Sequence, residues 1–137
     1  MNRYMAIVIG GVLGGCAATA GPPAGTQFDG SYAGQSTLSR GAGFLCGAPI
    51  YSERLTVRGG RFDYPFAVNP PRTVPLPVQI AADGTFAAQM QYGTEDYGPR
   101  SRPLTAWVTV TGRVDGRMLA ATIDDYRCTR RLMVQLG

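Results

Sequence analysis

Apolar and polar residues alternate with a period of two over most of the chain after residue 26. In segment 104–111 the even positions hold leucine, alanine and valine, and the odd positions hold threonine and tryptophan. Segments 61–66 and 85–92 show the same period. Such alternation places one face of a β-strand against a core and the other in water, and no long window keeps the helical period instead. The chain is therefore predicted to be all-β.

Turns rich in glycine divide this pattern into short strands. Three dipeptides between the strands are typical of two-residue hairpins, in which φ is positive. They are Gly59-Gly60, Asp83-Gly84 and Asp115-Gly116. The predicted strands cover residues 27–38, 51–58, 61–68, 74–81, 84–92, 103–114, 117–124 and 127–136.

Consecutive hairpins predict how these strands are arranged. About eight strands in an antiparallel meander can form a small closed or nearly closed barrel, with a β-sandwich as the alternative. Pro75 and Pro77 cannot donate to a strand ladder, so the fourth strand is predicted to be an edge or irregular strand. A transmembrane barrel is not expected, because aromatic girdles are missing and most strands are too short.

The composition excludes several kinds of catalytic site. The 137 residues include no histidine, and all 13 basic residues are arginines. The chain can therefore form no Ser-His-Asp or Cys-His nucleophile, no Ser–Lys dyad and no histidine metal site. The adjacent pair Asp124-Asp125 points to opposite faces of a strand, as in a solvated hairpin end. We expect no catalytic activity, no metal and no cofactor.

The first 20 residues differ from the rest of the chain. Met1-Asn2-Arg3 is a basic start, and residues 4–13 form an apolar stretch that leads to two glycines and Cys16. The stretch is shorter than the roughly 20 residues of a membrane-spanning helix. A basic start, a short apolar stretch and a small-residue exit are typical of a secretory signal peptide.

The tetrapeptide Leu13-Gly14-Gly15-Cys16 resembles the lipobox of bacterial lipoproteins. The resemblance implies that signal peptidase II removes residues 1–15. Cys16 would then carry a diacylglycerol on its sulfur and an acyl chain on its amine. Because Ala17 and not aspartate follows, the chain resembles lipoproteins sorted to the outer membrane, where it would face the periplasm. The alternative is cleavage after Ala20, at an A-x-A site, which would release a soluble periplasmic protein.

The rest of the chain forms two parts. Residues 16–26 hold glycines and prolines and no large apolar residue, so they are predicted to be a flexible tether. Residues 27–137 are long enough for one small domain, which is the predicted barrel.

Three cysteines are an odd number for an exported protein. If Cys16 carries the lipid, Cys46 and Cys128 remain as a pair, and an oxidising compartment favours a disulfide between them. Cys46 follows the first predicted strand and Cys128 begins the last. The bond would therefore join the two ends of the barrel. Two unrelated buried thiols are the alternative.

The arginines are candidate contacts for anionic partners, because a guanidinium group binds phosphate or carboxylate through two hydrogen bonds. The candidates are Arg100, Arg102, Arg127, Arg130 and Arg131. In the envelope, the partners would be lipid headgroups, lipopolysaccharide phosphate, peptidoglycan carboxylate or a periplasmic protein. Nucleic acid is not expected there. Ordinary surface solvation of these side chains is the alternative.

Arg130 differs from the other arginines, because it shares the parity of Leu132 and Val134 on the last predicted strand. A regular strand would turn it toward the core, where an arginine must be paired. Asp63 or Asp124 is the expected partner, and a position at the barrel rim is the alternative. Four aromatic residues could line an internal cavity or pack in the core. They are Tyr32, Tyr64, Phe86 and Trp107, of which Trp107 has the parity of a solvent-facing residue.

Segment 28–34 (FDGSYAG), together with Cys46 and Cys128, is similar to small cysteine-tied β domains of proteobacterial envelope proteins. This resemblance implies no particular activity. We expect an exported, lipid-anchored envelope protein with a structural or binding role. A periplasmic protease inhibitor of the small β-barrel type and a carrier of a small apolar ligand are the alternatives. A contiguous internal cavity would favour the carrier.

Overall fold

The computed structural model describes residues 21–68, 72–95 and 102–137. Within these ranges the chain forms eight β-strands and one short helix, which confirms the all-β prediction. The elements are β1 (Gly30–Arg40), α1 (Gly43–Cys46), β2 (Ile50–Val57), β3 (Arg61–Ala67), β4 (Thr73–Gln79), β5 (Thr85–Glu95), β6 (Pro103–Asp115), β7 (Met118–Asp125) and β8 (Thr129–Leu136). No helix in the described ranges has the length and apolarity needed to cross a membrane.

Six of the strands form one antiparallel sheet in the order β2-β1-β8-β7-β6-β5, and β3 and β4 form a separate hairpin. The six-stranded sheet curls into a half-barrel. Because β1 pairs with both β2 and β8, the first and last strands are neighbours, as barrel closure requires. The hairpin lies over the open side of the half-barrel and shares its hydrophobic core.

Prolines explain why the hairpin does not join the larger sheet. Pro65 is opposite Pro75, and Pro77 is opposite Asp63, in the β3–β4 ladder. A proline has no N–H, so at these positions the outer edges of the hairpin offer no donor to β2 or β5. The turns at Gly59-Gly60 and Gly84 form as predicted, with positive φ, but continuous ladders do not follow them. The described backbone pairing between this end of β2 and β3 is a single bridge at the turn, between Arg58 and Arg61.

The two ends of this structure differ in chemistry. We call the end with the turns at residues 59–60, 83–84 and 115–116 the turn end, and the end with residues 41–49 and 126–128 the loop end. At the turn end the core is apolar, and the Phe62 and Phe86 rings meet edge to face at 5.4 Å. Toward the loop end the inward-facing residues include Glu53, Asp125 and Arg130.

The first described residues of the chain attach to the turn end. Ala24 N donates to Ile80 O at 2.9 Å, and Pro23 forms a bridge with Ala81. Ala24 is buried, although it belongs to the segment predicted to be a flexible tether. The carboxylate of Asp29 accepts hydrogen bonds from two backbone N–H groups of the 59–60 turn, at 2.7 and 3.0 Å.

The predicted disulfide is present at the loop end. It joins Cys46, the last residue of α1, to Cys128, which directly precedes β8, with a Cα–Cα distance of 5.7 Å. The bond ties the connection between β1 and β2 to the connection between β7 and β8. Both connections therefore have a fixed position over the end of the half-barrel.

Candidate functional site

A cavity of about 230 Å³ lies at the loop end, between the half-barrel and the β3–β4 hairpin. Its walls come from α1, β2, β3, β4, β7 and β8. Phe66, Ile123 and the disulfide contribute apolar surface, and Glu53 and Arg130 contribute charge. A volume near 230 Å³ is below the roughly 300–1,000 Å³ of sites for drug-sized ligands. The cavity therefore suits a small molecule and is too small for a long acyl chain.

Glu53 and Arg130 face the interior because of their position on regular strands. Glu53 shares the parity of Leu55 and Val57, which are both buried. Arg130 shares the parity of Leu132 and Val134, as predicted. Only 9% of Glu53 and 7% of Arg130 are exposed. Both charged groups are therefore more than nine-tenths buried and need polar partners.

Arg130 obtains its partners from the backbone of the connection between β1 and β2. Its Nη2 donates to the carbonyl oxygen of Cys46 at 2.9 Å and to that of Ala48. Its Nη1 lies 3.5 Å from Ser36 Oγ, and its guanidinium carbon lies 4.4 Å from the centre of the Tyr51 ring. A guanidinium group over an aromatic face gains further stabilisation. Arg130 thus holds residues 46–48 against the sheet.

The prediction that Asp63 or Asp124 is the partner of Arg130 is wrong. Asp63 lies on the outer face of β3 and is exposed. Asp124 points outward from β7 and accepts a hydrogen bond from Arg40 at 2.8 Å. The carbonyl groups that replace these carboxylates belong to an irregular segment, for which strand parity makes no prediction.

Glu53 has one satisfied oxygen and one free oxygen. Ser36 Oγ donates to Glu53 Oε1 at 2.7 Å, so Ser36 connects Glu53 to Arg130 without a direct ion pair. Among the described residues, the Glu53 side chain has its hydrogen bond at Oε1, and Oε2 is a solvent-accessible oxygen without a protein donor. Because Glu53 lines the cavity, this oxygen is available to a molecule inside it.

Asp125 has a structural role in the cavity wall. Its Oδ1 accepts hydrogen bonds from the backbone N–H groups of Arg127 and Cys128 at 2.7 and 2.6 Å, which closes the turn between β7 and β8. Its Oδ2 accepts a hydrogen bond from Tyr92 at 3.1 Å. Both oxygens therefore have partners. The prediction that Asp124-Asp125 is a solvated pair is wrong for Asp125, which is buried.

Two buried tyrosines are held in their neutral form. Burial raises the pKa of Tyr64, and the Glu53 carboxylate raises it further, whereas Arg130 and a hydrogen bond with Ser36 oppose the shift. Burial also raises the pKa of Tyr92, with the Asp125 carboxylate as the next cause. Both phenols therefore remain hydrogen-bond donors at neutral pH.

The predicted arginine candidates do not form one site. Arg130 is buried, whereas Arg102 and Arg131 are exposed. Arg127 is half-buried, with its guanidinium carbon 4.9 Å from the centre of the Tyr126 ring, and its Nε has no acceptor among the described residues. Arg100 lies outside the described residues, as does Cys16.

The four aromatic candidates are also separated. Tyr64 lines the cavity. Tyr32 and Phe86 belong to the hydrophobic core, and half of Trp107 is exposed on the outer face, as its parity predicts.

Sequence reasoning missed Glu53 and Asp125 as parts of the site. The signal was the same parity that identified Arg130, because Glu53 alternates in step with Leu55, and Asp125 with Ile123. Within the described ranges, no group of three or more histidine, cysteine or acidic residues could hold a metal ion.

The chain was compared with protein-family models, with curated proteins and with solved structures, and none of the three comparisons found a match.

Proposed function

We propose that the chain is an exported, lipid-anchored envelope protein that binds a small ligand in the loop-end cavity and has no catalytic activity. The observation that carries the binding role is the free carboxylate oxygen of a buried residue, Glu53, on the wall of a cavity. Binding sites combine an apolar lining with a few polar groups that orient the ligand. Phe66, Ile123 and the disulfide provide the apolar part here.

Export is supported by the leader sequence and by the disulfide. Residues 1–15 contain a basic start, an apolar stretch and small residues, in the order that is typical of a signal peptide. Cys16 lies where the lipobox places the lipidated cysteine. A bond between Cys46 and Cys128 fits an oxidising compartment such as the periplasm. Two or more acyl chains on Cys16 would hold the protein firmly at a membrane.

The place where the chain enters the domain supports an orientation of the cavity relative to that membrane. Residues 22–24 bond to the turn end, and the cavity lies at the loop end. Cys16 is five residues before Gly21, so covalent geometry keeps it within about 18 Å of Gly21. β1 alone, with 11 residues, extends roughly 33 Å from the turn end toward the loop end. In the proposed arrangement the cavity faces away from the membrane that holds Cys16, toward components of the periplasm.

Ligand binding has more support than protease inhibition. An inhibitor needs an exposed, extended segment that fits a protease cleft. The described N-terminal residues instead bond to residues 80–82, directly after β4, and the strongly exposed Phe44 lies in a helical turn. A carrier of long apolar molecules also has less support, because the cavity is small and has charged walls.

Intact mass of the protein extracted from membranes tests the anchoring. We expect a chain of residues 16–137 with three acyl groups, and a mass increase of two hydrogens on reduction of the disulfide. Cys16→Ser should abolish the lipid and release the protein, while Ala17→Ser, as the matched control, should keep it. A mass that begins at Gly21 without lipid would refute the anchor.

A fragment screen tests the binding role. The full chain carrying Cys16→Ser is exported, labelled with ¹⁵N and exposed to small aromatic and aliphatic compounds. We expect amide shifts confined to residues around the cavity, and their loss in Ala67→Phe, which fills the cavity from the end of β3. Shifts spread over the outer face, or shifts that persist in Ala67→Phe, would refute binding in the cavity.

A further inference from the structure

We infer that the loop-end cavity selects a small ligand with a protonated amine next to an aromatic or branched apolar group. The inference rests on the proposed binding function and identifies its ligand class. Oε2 of Glu53 receives the amine, and the apolar lining that includes Phe66 and Ile123 receives the rest of the ligand.

The charges around the cavity favour a cation over an anion. Two carboxylates, those of Glu53 and Asp125, and one guanidinium, that of Arg130, line the cavity. The described charged groups on its wall therefore have a net charge of −1. This net negative charge repels an anion in the cavity, and the repulsion is screened less inside the protein than in bulk water.

The hydrogen bonds of Arg130 point to the same conclusion. Both carbonyl partners of Arg130 are on Nη2, and Nη1 faces Ser36. A ligand carboxylate that needs two parallel N–H groups of the guanidinium would have to displace one of these contacts. Glu53 differs, because its Oε2 accepts a ligand N–H while Ser36 keeps its bond to Oε1.

The remaining walls fit the apolar part of such a ligand. Phe66, Pro65 and Ile123 are apolar, and the Tyr64 phenol keeps its proton and can donate. Arg130 covers one face of Tyr51, and Pro65 and Phe66 of the hairpin offer apolar surface to a ligand ring.

Three compounds of similar shape and different charge test the ligand class: benzylamine, benzyl alcohol and benzoate. Each is titrated at neutral pH into the exported full chain carrying Cys16→Ser, and binding is measured by amide shifts around the cavity. We expect benzylamine to bind at least tenfold more tightly than the other two. Glu53→Gln keeps an acceptor for Ser36 and should lower the affinity for benzylamine about tenfold or more. Asp115→Asn removes an exposed carboxylate at the turn end and should leave the affinity unchanged.

The outcomes separate this inference from the proposed function. If benzoate or benzyl alcohol binds at the cavity as tightly as benzylamine, or if Glu53→Gln leaves benzylamine binding unchanged, the amine assignment is overturned and cavity binding stands. If none of the three compounds shifts a cavity residue and the fragment screen also finds no ligand there, the proposed function fails as well. The ranking of the three compounds on the unaltered site needs no variant at Glu53, so it decides the question even if Glu53→Gln does not fold.

Discussion

Replacement of Arg130 by methionine tests whether the buried guanidinium holds the loop end together. The change removes two hydrogen bonds to the carbonyls of Cys46 and Ala48. Hydrogen bonds from a charged donor contribute about 1.5–3 kcal/mol each, and the apolar methionine side chain regains about 1 kcal/mol by burial. We therefore expect Arg130→Met to lower the free energy of unfolding by about 3 kcal/mol. Urea unfolding followed by Trp107 fluorescence measures it, as a midpoint decrease of roughly 1.5 M.

Arg131→Met is the matched control, because Arg131 is the next residue on β8 and its side chain is exposed on the outer face. An exposed substitution of this kind should change the free energy of unfolding by less than about 0.5 kcal/mol. Both variants lose one positive charge, so the difference between them reports burial and hydrogen bonding. Equal midpoints for the two variants would refute the stabilising role of Arg130.

A double variant measures the connection between Arg130 and Glu53. Arg130→Met leaves the Glu53 carboxylate buried without its nearby cation, and Glu53→Gln removes that cost. The double variant should therefore be more stable than the sum of the two single effects predicts, by about 1 kcal/mol. Strict additivity would show that Ser36 does not couple the two side chains.

Three further changes test other parts of the structure. The disulfide spans 82 residues, so Cys46→Ala with Cys128→Ala should lower the free energy of unfolding by about 4.5 kcal/mol in the chain-entropy description, as read from urea midpoints against the oxidised parent. In Gly34→Ala the new Cβ would lie 2.1 Å from the carbonyl oxygen of Met133, and we expect a loss of about 1–3 kcal/mol, whereas the control Gly93→Ala meets no atom within 4 Å and should be nearly neutral. Hydrogen bonds from Thr129 and Arg40 lower the pKa of Asp124, so its stabilisation is present above the unfolded pKa of about 3.9 and is lost as the pH falls through the folded value. At pH 7 the parent should thus have a higher melting temperature than Asp124→Asn, by an amount that corresponds to at most about 1 kcal/mol. In acid this difference should disappear.

The alternation of apolar and polar residues was sufficient to predict the strands. Each described strand has one face toward the core and one toward solvent. The period of two in the sequence therefore follows from the burial of every second side chain, as in segment 104–111 of β6. The glycine turns were predictable for a similar local reason, because Gly59, Gly60, Gly84 and Gly116 have positive φ. These features depend on residues close together in sequence.

Pairing between the hairpin and the large sheet was harder to predict. Pro75 and Pro77 correctly indicated an edge strand, but only the β3–β4 register places Pro65 opposite Pro75 and shows that each outer edge of the hairpin lacks a donor at this position. Such a register depends on two strands together. The sequence pattern of either strand alone therefore predicts a hairpin. It does not predict that this hairpin is separate from the six-stranded sheet.

The candidate site was predictable in part. Parity indicated that Arg130 is buried, and the same test applied to Glu53 would have placed a second charge in the interior. The partners of Arg130 are carbonyl groups of Cys46 and Ala48, in a segment without periodicity. Their position depends on α1 and on the disulfide, so it follows from tertiary structure and not from any local pattern.

The polar walls also explain why the cavity remains open. At the turn end, the Phe62 and Phe86 rings meet in the core, so the hairpin and the half-barrel are in direct contact. If the cavity beside Glu53 closed in the same way, the free oxygen of Glu53 would lose water without gaining a donor, and this desolvation cost opposes closure. The hairpin is not held to β2 or β5 by a continuous ladder, so its backbone does not force this end to close. We therefore expect water in this cavity, and any molecule that displaced this water would need a hydrogen-bond donor for Glu53.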